Sequence, residues 1–219
     1  MTTGPILLPC PNDGPVMDAY AGHFERVEVV LHPFLAPNRI PLARFNRDDY
    51  PSDAEVLADC RPVAWRDLIG PQGMASLSRI DIALRSMFGA LRNPDRALQD
   101  QLQEMMDRLV LIPPDAGLLS PHVERAFLNW MADTGHDIMR VSDEFNFTAT
   151  DLPITEMIGQ TRVPAHGMIA AMDGSALLVT HWDSCCSFLC RNGDARPVPG
   201  LESFPCTKRT DVFWGLHPL

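Results

Sequence analysis

Apolar residues run almost unbroken through positions 176–190, ALLVTHWDSCCSFLC, the longest strand-favouring stretch in the chain. Taken in steps of two, Trp182, Ser184, Cys186, Phe188 and Cys190 share one side, and Asp183, Cys185, Ser187 and Leu189 share the other. The pattern predicts one core strand with one core face. Asn192-Gly193 follows it, a dipeptide suited to a two-residue hairpin, so the strand is expected to turn back there. Upstream, Asp173-Gly174 divides it from residues 167–172, which gives a three-stranded antiparallel reading.

The rest of the chain alternates between helical and extended patterns. Residues 1–22 are an irregular lead-in punctuated by Pro and Gly, and Val27, Val29 and Leu31 then alternate in a strand that ends at His32-Pro33. Ser52 and Glu55 have capping-box spacing, so a short helix starts there, and residues 65–69 suggest a helical turn. Leu77, Ile80, Leu84, Met87, Phe88 and Leu91 recur at helical spacing and predict a helix over 78–92. Asn93-Pro94 then signals a second helix, carried by Leu98, Leu102, Met105, Met106 and Leu109 to a stop at Pro113-Pro114. Ser120-Pro121 starts a third, bearing Val123, Phe127, Trp130 and Met131, with Gly135 as its C-terminal stop. Residues 138–141 suggest a strand, 150–158 a weak helix or loop, and 211–216 a last strand. Helices over 76–135 packed on a mainly antiparallel C-terminal sheet over 167–216 define an α+β fold, expected to form one domain over 1–219.

Six cysteines without a CxxC pair, no apolar stretch long enough to span a bilayer and no basic, secretory-type N-terminus make a cytoplasmic location the expectation. Net charge is -10 and uneven: residues 93–160 hold twelve Asp and Glu against four Arg. That balance opposes nucleic-acid binding, which needs clustered Lys and Arg, and suits either a solvated helix face or a basic protein partner. Asp95, Asp100, Glu104 and Asp107 are the residues expected to meet such a partner.

Signatures of nucleotide, phosphate or zinc-protease chemistry are missing, as is a GxSxG elbow, and no cofactor is expected. His181 with Cys185, Cys186 and Cys190 offers zinc-type ligands, but on one extended strand they point to opposite faces, so no metal site is expected. His181, Asp183 and Cys185 are the alternative catalytic set. On an extended strand His181 and Cys185 would stand about 13 Å apart, so a base for the thiol would come from elsewhere, with His166 or His217 as candidates. An aspartate at 183 inside an apolar run needs hydrogen-bond donors, as a capping bulge or at a binding surface.

Leu31-His32-Pro33-Phe34 after an early strand, Trp65-Arg66, Gly89-Ala90-Leu91-Arg92, Trp182-Asp183-Ser184 and the terminal Phe213-Trp214 resemble a group of uncharacterised bacterial proteins. The Asp-Ser, strand, turn and Trp ending also resembles small immunity proteins that neutralise bacterial toxins, although Cys185 and Cys186 stand where an aromatic is expected. The resemblance implies a non-enzymatic, protein-binding role and carries no catalytic residue. The alternative is a small hydrolase or transferase with a cleft beside the C-terminal sheet.

Overall fold

The structure, a computed structural model, describes residues 4–193 and 196–216. Chain order is α1 (Val16–Ala19), β1 (Arg26–Leu31), β2 (Phe34–Pro37), α2 (Asp53–Asp59), β3 (Cys60–Val63), α3 (Leu77–Met87), α4 (Arg96–Leu109), α5 (Pro121–Asp133), β4 (Ile138–Ser142), β5 (Thr150–Pro153), β6 (Met168–Ala171), β7 (Ala176–Thr180), β8 (Cys186–Arg191) and β9 (Glu202–Pro205). Helices α2, α3 and α4 begin where side chains satisfy free backbone N–H groups. Ser52 and Glu55 form the expected capping box at α2, Ser76 caps α3, and Asp95 caps α4 by accepting from Leu98. The cap of α4 is thus Asp95 rather than the predicted Asn93-Pro94. Proline at the first position opens α5.

The fold is α+β. Seven strands form an antiparallel sheet in the order β5-β4-β6-β7-β8-β1-β9, and β2 pairs with β3 beside it. Apolar residues are buried on both faces of this sheet. On one, Val29, Leu31, Leu177, Val179 and Phe188 pack with the stripes of α3 and α4 and with Trp65 and Trp214. On the other, Val30, Met139, Val141, Ile169, Leu178 and Leu189 pack with Val123, Phe127, Leu128 and Met131 of α5. A sheet covered on both sides needs no polar alternation, which is why residues 176–190 read as one continuous apolar run.

That run is two strands, not one. β7 ends at Thr180, residues 181–185 turn, and β8 returns antiparallel with Val179 opposite Phe188. Trp182 consequently lies half-buried in the turn rather than on a strand face. The Asn192-Gly193 hairpin does not form: β9 crosses over to pair with β1, and the Asn192 amide instead accepts from Glu25 N and donates to the His23 carbonyl. The sheet also extends beyond 167–216 to recruit β1, β4 and β5. Residues 150–158 are strand β5 followed by a 3-10 turn at Ile154–Glu156, and 211–216 form turns tied on by a single bridge between Pro15 and Asp211.

The 181–185 turn is held by an ion pair in the core. Asp81 and Arg85, one helical turn apart on α3, pair at 2.8 Å with both side chains 1% exposed. Ser184 Oγ donates to Asp81 Oδ1 at 3.0 Å, and Arg85 Nη1 donates to the Asp183 carbonyl at 3.0 Å. Phe213 stacks 5.2 Å from the guanidinium, and Gly215 lies so close that a Cβ there would fall 2.1 Å from Asp81 Oδ2. His181, fully buried, accepts the Asp183 N–H on Nδ1 and donates through Nε2 to the Val212 carbonyl. α3, the turn and the C-terminal segment therefore share one polar knot.

Two substitutions test this core. Phe188→Ala should lower unfolding free energy by roughly 3 to 5 kcal/mol through lost burial and a cavity. Asp81→Ala should cost a similar amount, about 3 to 5 kcal/mol, by leaving Arg85 buried without its counter-charge. Chemical denaturation checks both; a change below about 1 kcal/mol for either would refute the corresponding contact.

Candidate functional site

A cavity of about 650 Å³ opens where the β1–β2 turn, the loop before α2 and the segment before α5 meet. The size suits a small organic molecule. Each wall is fixed locally. Asp59 accepts from the backbone N–H groups of Asn38, Arg39 and Ile40, Asn46 Oδ1 caps Asp48 and Asp49, and Tyr50 packs edge-on against Phe45 at 5.5 Å. The opposite wall, 114–121, is anchored to the 181–185 turn: Cys185 Sγ meets the Pro114 carbonyl at 3.3 Å and Gly117 N donates to the Ser184 carbonyl. Thr161, a β-branched residue at φ 50, lines the cavity in a conformation that costs strain, a feature concentrated at functional sites.

The polar groups in this cavity are unevenly matched. Asp53 and Asp115 both line it, and neither makes an ion pair among the described residues. Asp115 is solvent-exposed yet enclosed by protein; that enclosure pushes its carboxyl above the ordinary range, and the Tyr50 hydroxyl draws it part of the way back. His32 is fully buried at the cavity wall, with Nε2 2.8 Å from Ser187 Oγ. The Leu118 carbonyl draws a proton toward the ring, yet Nδ1 makes no hydrogen bond of ordinary geometry, and burial pushes the imidazole down to about 3. It is neutral at physiological pH. Behind Asp53, Glu124 on α5 is 3% exposed, and its Oε1 has no hydrogen-bond partner among the described residues. Burial first, and the Asp53 charge second, push its carboxyl up to about 8.

The structure places the sequence-derived candidates elsewhere. His181, Asp183 and Cys185 all fall in the β7–β8 turn, but His181 has both ring nitrogens engaged and burial pushes it down to about 3. Burial raises the Cys185 thiol well above its ordinary value, so the thiolate that nucleophilic attack requires is disfavoured. Cys186 contacts Ser184 Oγ, and among the described residues no group of three or more His, Cys, Asp and Glu is placed to hold a metal. On α4, Asp100, Glu104 and Asp107 are exposed, whereas Asp95 is committed to its cap. His217 lies outside the described residues. Sequence reasoning missed the cavity acids Asp53 and Asp115 as a pair, because they are 62 positions apart, one opening α2 and the other in the segment before α5.

Residues 12–216 match the sequence profile of a family described as proteins of unknown function, DUF2711. The chain belongs to the DUF2711 family. The match spans every cavity-lining element named above, so the β1–β2 turn, the loop before α2 and the segment before α5 all lie in the DUF2711 region. No curated protein and no solved structure matches the chain.

Glu124 gives this DUF2711 protein a pH signature. Its folded-state value of about 8 stands above the ordinary 4.5, so the folded state binds the extra proton and stability is full below about pH 4.5 and falls as pH rises toward 8. The loss is on the order of 3 to 5 kcal/mol at about 1.4 kcal/mol per pKa unit. Glu124→Gln should therefore gain stability over the parent progressively between pH 5 and pH 9 in thermal melts. A difference that stays flat over this range would show that Glu124 ionises normally.

Proposed function

We propose that the chain binds a small organic molecule bearing a cationic group in the Asp115 cavity. The observation that supports this most is the pair Asp53 and Asp115 lining one cavity with no cation paired to either among the described residues. Two carboxylates sharing one cavity favour an opposite charge there, and an ammonium or guanidinium group would supply it. Leu35, Phe45, Val56 and Leu118 offer apolar walls for the rest of the molecule. Arg47 also lines the cavity with no ion-pair partner among the described residues, so an occupant carrying a carboxylate as well as an amine would be met at both ends.

A basic protein partner, as in the immunity-type reading, would use α4. Asp100, Glu104 and Asp107 follow one another at helical spacing on its exposed flank. Arg96 and Arg108 bracket that stripe, and Arg108 reaches back to the Gln72 carbonyl. Those arginines offset part of the stripe's charge, which is why we favour the cavity.

Thermal-shift measurements against small primary amines, guanidines and amino acids, with neutral isosteres beside them, test the reading. A true ligand at about 100 times its Kd should raise the melting temperature by roughly 5 to 10 °C. Asp115→Asn should abolish that shift without altering the ligand-free melt. Equal shifts from neutral isosteres, or an unchanged response in the variant, would overturn the proposal.

A further inference from the structure

The aromatic walls of the Asp115 cavity narrow the kind of cation it fits. Phe45 and Tyr50 both line it, and their rings stand 5.5 Å apart at 89°, two surfaces meeting in a corner. The corner is held from behind. Phe45 packs against Leu35, Val56 and Cys60, and the loop that carries both rings is tied down through Arg44, which pairs with Asp49 at 3.5 Å and with Glu55 of α2 at 2.7 Å. Tyr50 also brings the corner to an acid: burial first, and the Asp115 charge second, keep the phenol proton in place well above its ordinary range.

Several neutral polar side chains around the cavity are already engaged within the protein. Ser52 Oγ donates to Glu55 Oε2 and accepts from the Glu55 N–H. Asn46 accepts from the Asp48 and Asp49 N–H groups through Oδ1 and donates through Nδ2 to the Ala43 carbonyl. A primary ammonium brings three N–H donors, and these groups have little left to offer them. A fully methylated nitrogen brings none. It keeps the positive charge, which the two carboxylates favour, and it gains from aromatic surfaces that a hydrated ammonium uses poorly.

We infer that the occupant is a betaine-type zwitterion, its trimethylammonium group in the Phe45–Tyr50 corner beside Asp115 and its carboxylate toward Arg47. This rests on the reading of the cavity as a cation site and names the cation. A rounded, methyl-covered charge lodged between two rings at right angles touches ring surface on two sides, and Leu35 and Val56 give its methyl groups apolar neighbours. Arg47 lies two residues beyond Phe45 in the same loop and lines the same cavity, so one loop supplies both the ring and the counter-charge for the carboxylate.

Calorimetric titration of the full chain with glycine betaine, glycine and 3,3-dimethylbutanoate tests this, because the three share a carboxylate and differ at the other end: a methylated cation, a bare ammonium and an uncharged tert-butyl group. Glycine betaine should bind about five-fold more tightly than either of the others, the size of a modest cation–π gain. Tyr50→Leu, at a position 40% exposed, should weaken glycine betaine about five-fold and leave glycine within about two-fold. Tyr50→Phe, which keeps the ring, should preserve the preference for the methylated cation. Asp115→Asn should weaken both cations. Glycine binding as tightly as glycine betaine, with both lost in Asp115→Asn, would overturn the inference and leave the cation site standing, as would glycine betaine binding unchanged in Tyr50→Leu. Equal binding of the tert-butyl compound, or no binding of either cation at millimolar concentration, would overturn both readings.

Discussion

The Asp81–Arg85 pair is the constraint on which the arrangement of this protein depends. Two opposite charges in a core are expensive to desolvate, and the attraction between them compensates only when surrounding groups complete their hydrogen bonding. Here Ser184 and the Asp183 carbonyl supply most of it and the Phe213 ring faces the guanidinium, while Arg85 Nη2 finds no hydrogen-bond partner among the described residues; the arrangement fixes where those groups lie. The β7–β8 turn cannot shift without stranding a charge. From that turn, Cys185 reaches Pro114, and Ser184 receives the N–H of Gly117. The segment over 114–121 inherits its position from a salt bridge that it does not itself contact.

That segment lines the Asp115 cavity and, through Gly117, backs a second cavity of about 530 Å³ lined in part by Glu144, Phe145, His166 and Trp182. Asp115, Leu118 and Ser120 face the first, while Gly117 supports His166 at the second. The Gly117 backbone takes part in both anchors, donating to Ser184 and accepting from His166. An occupant that moves one wall would therefore be felt at the other, through a short stretch of backbone rather than through the sheet. The sheet itself, sealed on both faces, acts as a rigid backing.

Much of the architecture was legible in the sequence because its signals are local. The capping box at Ser52 and Glu55, the apolar stripes of α3, α4 and α5, and the alternation in β1 depend on residues within a turn or two of each other. The break at 181–185 was only hinted at, by Asp183 read as a capping bulge: full burial on both sides erases alternation, and without Gly or Pro the Trp-Asp-Ser step does not mark a chain reversal. Its cause lies a hundred positions away in Asp81, which donates nothing locally to mark the turn. Asp81 and Arg85 also stand four apart on the same stripe as Leu77 and Leu84, so the spacing was visible while the burial of two charges was not. Asn192-Gly193 misled for a related reason. The dipeptide permits a hairpin, but β9 finds its partner in β1, and the Asn192 side chain serves that crossover instead. Of the site residues, His166 drew attention as a base; its neighbours at the cavity, contributed by three separate segments, had no common sequence signal.

The central claim is that the core ion pair positions the walls of both cavities through the 181–185 turn. Amide hydrogen exchange in Ser184→Ala, which removes one hydroxyl and leaves both charges in place, measures this directly. The account predicts faster exchange at Gly117, His166 and residues 183–185, with α5 and β4 protected as in the parent. Exchange unchanged at Gly117 and His166, or accelerated uniformly through the sheet, would contradict it.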